Sequence, residues 1–153
     1  MQTRPPPAAT PRSGFAIVRA VPTRWMDNDH YGHVNNVAYY SFFDTAVNGW
    51  LMEATRSDIR ELDAIGIVAE TSCRFLKELS FPETVHAGLC LERLGRSSIV
   101  YHVGLFREGD EEPAAIGRFV HVYVDARSRE VVPVPEPIRS AVSTLPPAAG
   151  AAP

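Results

Sequence analysis

The segment that most restricts this fold starts at Asn35 and Asn36 and runs through about five turns of apolar sequence to Ala54. Tyr39, Phe42, Phe43, Ala46 and Trp50 recur at helical spacing, and Val37, Tyr40, Val47 and Leu51 cover much of the remaining surface. A helix apolar nearly all round has to be enclosed by other elements. Asn35 or Asn36 supplies its N-cap. Gly49 inside it costs roughly 1 kcal/mol relative to alanine, which points to close packing at that position.

The rest of the chain decides what encloses the helix. Before it, Phe15 to Val21 alternates, with Phe15, Ile17, Arg19 and Val21 on one face, and Pro22 closes this strand or sits at its edge. After it, polar residues Thr55 to Asp63 extend the helix briefly or form a loop. Four strand-like runs follow. Ile65 to Lys77 carries Ile65, Ile67, Ala69, Thr71, Cys73 and Phe75 on one face, and Phe81-Pro82-Glu83 marks a turn. Val85 to Gly95 alternates through Val85, Ala87, Leu89 and Leu91. Ser98 to Arg107 alternates through Ile99, Tyr101, Val103 and Leu105, and ends at a Glu108-Gly109-Asp110 hairpin signal. In Ala114 to Asp125, Phe119, His121 and Tyr123 alternate with Val120, Val122 and Val124. Val131-Val132 adds a short edge, and residues 137–142 one or two helical turns. A strand, a long buried helix and an antiparallel meander make an α+β chain whose curved sheet must wrap around the helix. The sheet's other face then needs cover, which predicts at least a dimer.

The length, 153 residues, suits one domain. Residues 14–142 form that domain; residues 1–13 and 143–153 read as flexible tails rich in Pro and Ala. A net charge of −3 leaves no basic footprint for nucleic acid. No apolar run is long enough to span a bilayer, and the first residues lack the apolar core of a signal peptide. Cys73 and Cys90 are too few for a disulfide framework. The expectation is a soluble cytoplasmic protein, with the two cysteines reduced and facing each other across a hairpin.

A knot of polar residues sits just ahead of the helix: Asp27, Asn28, Asp29, His30, Tyr31, Gly32, His33, Asn35 and Asn36. Asp27-x-Asp29-x-x-Gly32 starts like a calcium loop, but position five is Tyr31 and position twelve is Ala38. His30 and His33 are candidate metal ligands without a strong third partner downstream. No G-x-S-x-G elbow supplies a nucleophile. Carboxylate chemistry remains: an Asp at a helix mouth acts as general base toward water, or attacks an acyl carbon itself. The helix N–H groups hold an oxygen that gains charge, while His33, Asn35 and Asn36 orient water or substrate. The plain alternative is a set of residues that only cap a helix and tie down a loop.

Asp27-Asn28-Asp29-His30-Tyr31-Gly32-His33-Val34-Asn35-Asn36, followed by Tyr39 and Tyr40, resembles the D-x-D-x-x-G-H-V-N-N-x-x-Y signature of hotdog-fold acyl-CoA thioesterases, the 4-hydroxybenzoyl-CoA thioesterase-like family. The likeness covers about residues 14 to 141, including the GRSS and FVHVYVD stretches. It implies a hotdog fold and hydrolysis of an acyl-CoA thioester, with no metal and no cofactor beyond the substrate's coenzyme A. By this resemblance Asp29 is the catalytic carboxylate, the Asn36 N–H polarises the thioester carbonyl, and His33 matches the histidine of the plant-like members. Those members place an asparagine where this chain has Tyr31. Arg96 and Ser97 match a turn that contacts the CoA phosphates, a role that suits a guanidinium. Asp27 supports the loop. Asn35 and Tyr31 shape the site, and Tyr39 and Phe43 line an acyl pocket along the helix. The resemblance also implies a homodimer or homotetramer whose active sites are shared between subunits. Two alternatives stay open: a hotdog dehydratase or hydratase, and a non-catalytic acyl-CoA-binding module.

Overall fold

The computed structural model describes residues 9–148. Strand β1 (Ile17–Pro22) comes first, then helix α1 (Asn36–Thr55), β2 (Ala64–Phe75), β3 (Thr84–Leu94), β4 (Ser98–Phe106), β5 (Ala115–Asp125) and the short helix α2 (Glu136–Val142). The strands form one antiparallel sheet in the order β1-β3-β4-β5-β2, with α1 packed on its inner face. This is the hotdog arrangement, a curved sheet around one long helix.

The buried face of α1 is the expected one. Tyr39, Phe42, Phe43, Ala46, Val47, Trp50 and Leu51 are buried, against Leu89, Val103 and Phe119 of the sheet among others. Two glycines let the helix lie close. A Cβ on Gly117 of β5 would sit 2.3 Å from Phe43 Cζ, and one on Gly49 would sit 3.2 Å from an Arg19 guanidinium nitrogen. Arg19 reaches across Gly49 to pair with Glu53. The enclosure is not complete: Val37 and Tyr40, near the start of the helix, are exposed.

Four sequence-based expectations are corrected. First, β2 does not continue into a meander; it lies at the far edge, paired with β5, so β3-β4-β5 alone is a meander. Cys73 and Cys90 are therefore separated by β4 and β5, roughly 14 Å at the usual strand spacing. Cys73 packs toward the inner core and Cys90 on the outer face, so they are not neighbours. Second, a bulge between Val68 and Glu70 splits the uniform face expected for this strand. Gly66 faces the inner residues His121 and Tyr123 before it, and Cys73 and Phe75 point inward after it.

Third, Phe15 does not share the inner face with Ile17 and Val21. It precedes β1 and folds over the sheet's outer face, above Gly88 and Gly104 and against Cys90 and Phe106. The chain thus covers part of its own outer face, which weakens the argument that this face requires a partner. Fourth, the expected C-terminal tail is anchored as far as Ala148: Leu145 is buried, and Leu91 exchanges backbone hydrogen bonds with Pro146 and Ala148. At the N-terminus, the Arg12 N–H donates to the Glu111 carbonyl. The remainder of both expected tails, residues 1–8 and 149–153, lies outside the described residues.

Candidate active site

The polar knot ahead of α1 folds into a small hairpin. Asn28 and Val34 form an antiparallel bridge. The Asp29 N–H donates to the His33 carbonyl at 2.8 Å, and Gly32, at φ 82°, makes the tight return. The Asp29 carboxylate accepts the Tyr31 N–H at 2.9 Å through Oδ1, an Asx turn. Asp29 is half-buried at this tip.

Two anchors hold the hairpin. On one side, the buried Asp27 carboxylate accepts the Arg24 N–H at 2.7 Å and a forked pair from the Arg24 guanidinium at 2.8 and 3.1 Å. Its backbone carbonyl accepts the Asn35 N–H at 2.8 Å, tying the loop to the helix start. Asp27 is thus fully occupied in holding the turn. On the other side stands the segment before β3. Val34 N–H donates to Leu79 O at 2.7 Å, Ser80 Oγ donates to Gly32 O at 2.8 Å, and Asn28 Oδ1 accepts the Phe81 N–H at 3.0 Å.

Asn35 is the N-cap, its Oδ1 accepting the Val37 N–H at 3.1 Å; that cap is worth about 1 kcal/mol. Its Oδ1 is thus engaged by the helix, while its Nδ2 makes no hydrogen bond among the described residues and the residue is exposed. Asn36 is the first helical residue and exposed, and its N–H has no acceptor in the chain among the described residues. Such an amide at a positive dipole end is suited to an oxygen that gains charge. His33 Nε2 lies 3.0 Å from Glu78 Oε2, with the His33 side chain half-buried and Glu78 exposed. Glu78 escaped the sequence reading because 45 positions separate it from His33 and no local motif marks it.

Other expected site residues lie elsewhere. Tyr39 is buried with its ring edge-on to Phe75 at 4.9 Å, and Phe43 is fully enclosed over Gly117. Both are buried core residues in the single chain. Arg96 and Ser97 occupy the β3–β4 turn, where Ser97 O accepts the Tyr123 N–H at 2.8 Å near the end of β5. The hairpin of Asp29 attaches near the other end, where Ala115 pairs with Phe75. Eight residues of β5 separate the two ends, roughly 27 Å, so one chain does not bring Arg96 to Asp29. The Arg96 carbonyl is held by Val134 and by the Arg139 guanidinium. Its own guanidinium makes no ion pair among the described residues.

Among the described residues no three His, Cys, Asp or Glu side chains gather to hold a metal ion, and no helix is long and apolar enough to cross a membrane. Exposed apolar side chains ring the helix mouth: Trp25, Met26, Tyr31, Val37 and Tyr40. Tyr31, expected to contact substrate, is 83% exposed.

Residues 21–142 match the model of the thioesterase-like superfamily. The chain belongs to that superfamily. Among solved structures, the PA5185 protein from Pseudomonas aeruginosa strain PAO1 is 44% identical, with a TM-score of 0.87, over 92% of this chain and 98% of that one. A thioesterase from Thermus thermophilus, complexed with coenzyme A and Zn, is 27% identical with a TM-score of 0.70, over 84% and 98% of the two chains. The YsmA protein of Bacillus subtilis (strain 168) is 25% identical over 122 residues, 79% of this chain and 81% of that one. The protein is a hotdog-fold thioester hydrolase.

Proposed function

We propose that this superfamily member hydrolyses an acyl-CoA thioester at the mouth of α1. Asp29 removes a proton from water, or attacks the thioester carbon directly. The carbonyl oxygen gains negative charge and is stabilised by the Asn36 N–H. On the general-base route the tetrahedral centre collapses with loss of the CoA thiolate, which takes up the proton Asp29 received. On the covalent route the thiolate leaves first, water then hydrolyses the acyl–Asp29 anhydride to the free acid and the Asp29 carboxylate, and the proton that water releases goes to the thiolate. His33, steadied by Glu78, orients water or substrate beside them. One observation carries this reading: the acceptor-free Asn36 amide shares its loop with a half-buried carboxylate held in a fixed turn. The coenzyme A bound by the Thermus relative supports CoA as the leaving group. No cofactor beyond that CoA enters the scheme.

The site is unfinished in one chain, and a second copy completes it. β2 is a 12-residue edge strand with exposed Ile67, Val68 and Phe75, and Leu76 follows in the same condition. A long apolar edge of this kind recruits another strand. Two copies related by a two-fold axis beside the middle of β2 extend the sheet. They bring the Arg96 end of one sheet toward the Asp29 end of the other, where Arg96 and Ser97 meet the CoA phosphates. A homodimer is the minimal unit, and a homotetramer builds on it. Two free cysteines suit the reducing cytoplasm.

The test is release of free thiol from a panel of acyl-CoAs, run with the wild type and Asp29→Asn. The variant keeps its fold and oligomeric state and loses kcat. Activity within a few-fold of wild type on a good thioester would remove Asp29 from the reaction. A product that keeps its thioester would instead identify a hydratase.

A further inference from the structure

A cavity of about 300 Å³ opens at the end of the sheet remote from the α1 mouth. Asn48 of α1, Ile59, Leu62, Gly66 of β2, Tyr123 of β5 and Ile138 of α2 contribute to its walls, which are mainly apolar. One member is out of character. His121, on the inner face of β5, is 2% exposed and borders the cavity. Its Nδ1 is buried without a partner, and neither ring nitrogen makes a hydrogen bond among the described residues. Three aromatic rings surround it: Phe119 at 5.0 Å, Tyr101 at 5.8 Å and Tyr123 at 6.3 Å. In the adjacent cross-strand row, Tyr101 OH and Thr71 Oγ1 are also buried and unpartnered. Buried polar atoms are nearly always paired with protein or with ordered water, so these atoms offer bonding positions that water or a polar group of a ligand can take.

The space in front of His121 depends on Gly66. A Cβ there would lie 3.0 Å from Tyr123 Cζ and 3.2 Å from His121 Cγ and Nδ1. Any larger residue would press on both rings. The chemistry of the walls limits the occupant. Among the described residues the only cation lining the cavity, Arg60, is paired with Asp58 at 2.7 and 2.9 Å, so the walls favour a neutral group over a carboxylate or phosphate. Desolvation lowers the His121 pKa to about 4, so the ring is neutral at pH 7, with one donor and one acceptor.

We propose that this cavity is a ligand pocket in which His121 hydrogen-bonds a neutral polar group, such as a hydroxyl, on an otherwise apolar molecule. On the thioesterase reading, that molecule is the acyl portion of the substrate. Twelve residues of α1 separate Asn36 from Asn48, about 18 Å, so the acyl group enters from the active site of a second copy. Pairing of two β2 edges places the Ala64–Gly66 end of one strand beside the Cys73–Phe75 end of the other, next to that copy's helix mouth. His121 is then a specificity-determining residue that selects acyl groups with a distal hydroxyl over unsubstituted ones.

Two measurements test this. In the first, phenol and toluene are titrated into the full-length protein with ¹³C-labelled histidine rings, observed by NMR. Phenol is expected to shift the His121 ring signals and to bind about three- to tenfold tighter than toluene, the worth of one neutral hydrogen bond. In the second, kcat/KM is compared for acyl-CoA pairs that differ only in a distal hydroxyl. The wild-type preference of the same size falls to within twofold of unity in His121→Phe, a substitution that keeps the ring contacts. Phenol binding that leaves the His121 signals unmoved would overturn the pocket, as would thioester turnover with no preference for the hydroxyl. A protein that binds phenol at His121 but releases no thiol from any acyl-CoA would keep the pocket and remove the thioesterase reading. Should His121→Phe fail to fold, the wild-type titration decides alone.

Discussion

The seating of α1 on the sheet offers the sharpest test of the packing argument. In Gly117→Ala the new Cβ would stand 2.3 Å from Phe43 Cζ and 2.5 Å from Cε2, where carbon atoms rest at about 3.5–4.0 Å. Phe43 is fully enclosed, so its ring has to move by more than 1 Å or the helix must lift. Overpacking of this kind costs roughly 3 kcal/mol at its upper end, and replacing a strand glycine returns roughly 0.5–1 kcal/mol. The net loss is about 2 kcal/mol, or a Tm lower by roughly 7 °C for a domain of this size. Phe43→Leu alone costs roughly 1–2 kcal/mol in lost packing. Because leucine vacates the far end of the ring, the double variant should lose at least 1 kcal/mol less than the two single losses added together. Urea denaturation read by tryptophan fluorescence measures all three, since Trp50 is 6% exposed and buried beside the core. If the two changes add within about 0.5 kcal/mol, or if Gly117→Ala is neutral, the helix is not held against the sheet at that point.

Stability should also fall with acid in a window set by His121. Its folded pKa, lowered to about 4 by burial, lies below the ordinary 6.5, so the unfolded chain binds the extra proton. The contribution is complete above about pH 6.5 and is lost as pH falls toward 4, on the order of 3 kcal/mol in all. Burial also lowers the pKa of His102 and His86, in the same direction. Denaturation midpoints from pH 7 to 4 should decline less steeply in His121→Phe; an unchanged slope would show that this ring is not buried neutral. At the sheet edge, Ile67→Lys places a charge on β2 where a second strand would pair. Sedimentation should report a monomer with native circular dichroism and little thiol release, whereas an active dimer would exclude that edge as the interface.

The α1 stripe, its asparagine cap and most strand bodies were legible in the sequence, because each depends on a short period or on neighbours a few positions apart. The signature before α1 likewise marked the loop and its candidate carboxylate. Strand partnership was not legible. Alternation in β2 indicates a strand but not that it crosses to β5, and the bulge after Val68 reverses the face on which later residues stand. That one crossing separates Cys73 from Cys90 and exposes the long β2 edge.

Side-chain assignments show the same division. Aromatic residues near a helix mouth read equally well as pocket or core, and Tyr39 and Phe43 became core once Phe75 and Gly117 closed over them. Glu78 beside His33, and His121 without a partner in the sheet, depend on approaches between distant segments that no local pattern encodes. Local periodicity and capping chemistry determined that this chain must wrap a helix and present a polar mouth. The crossing of β2 decided which residues share a face, because pairing energy comes from contacts far apart in the chain, and only the folded sheet selects among them.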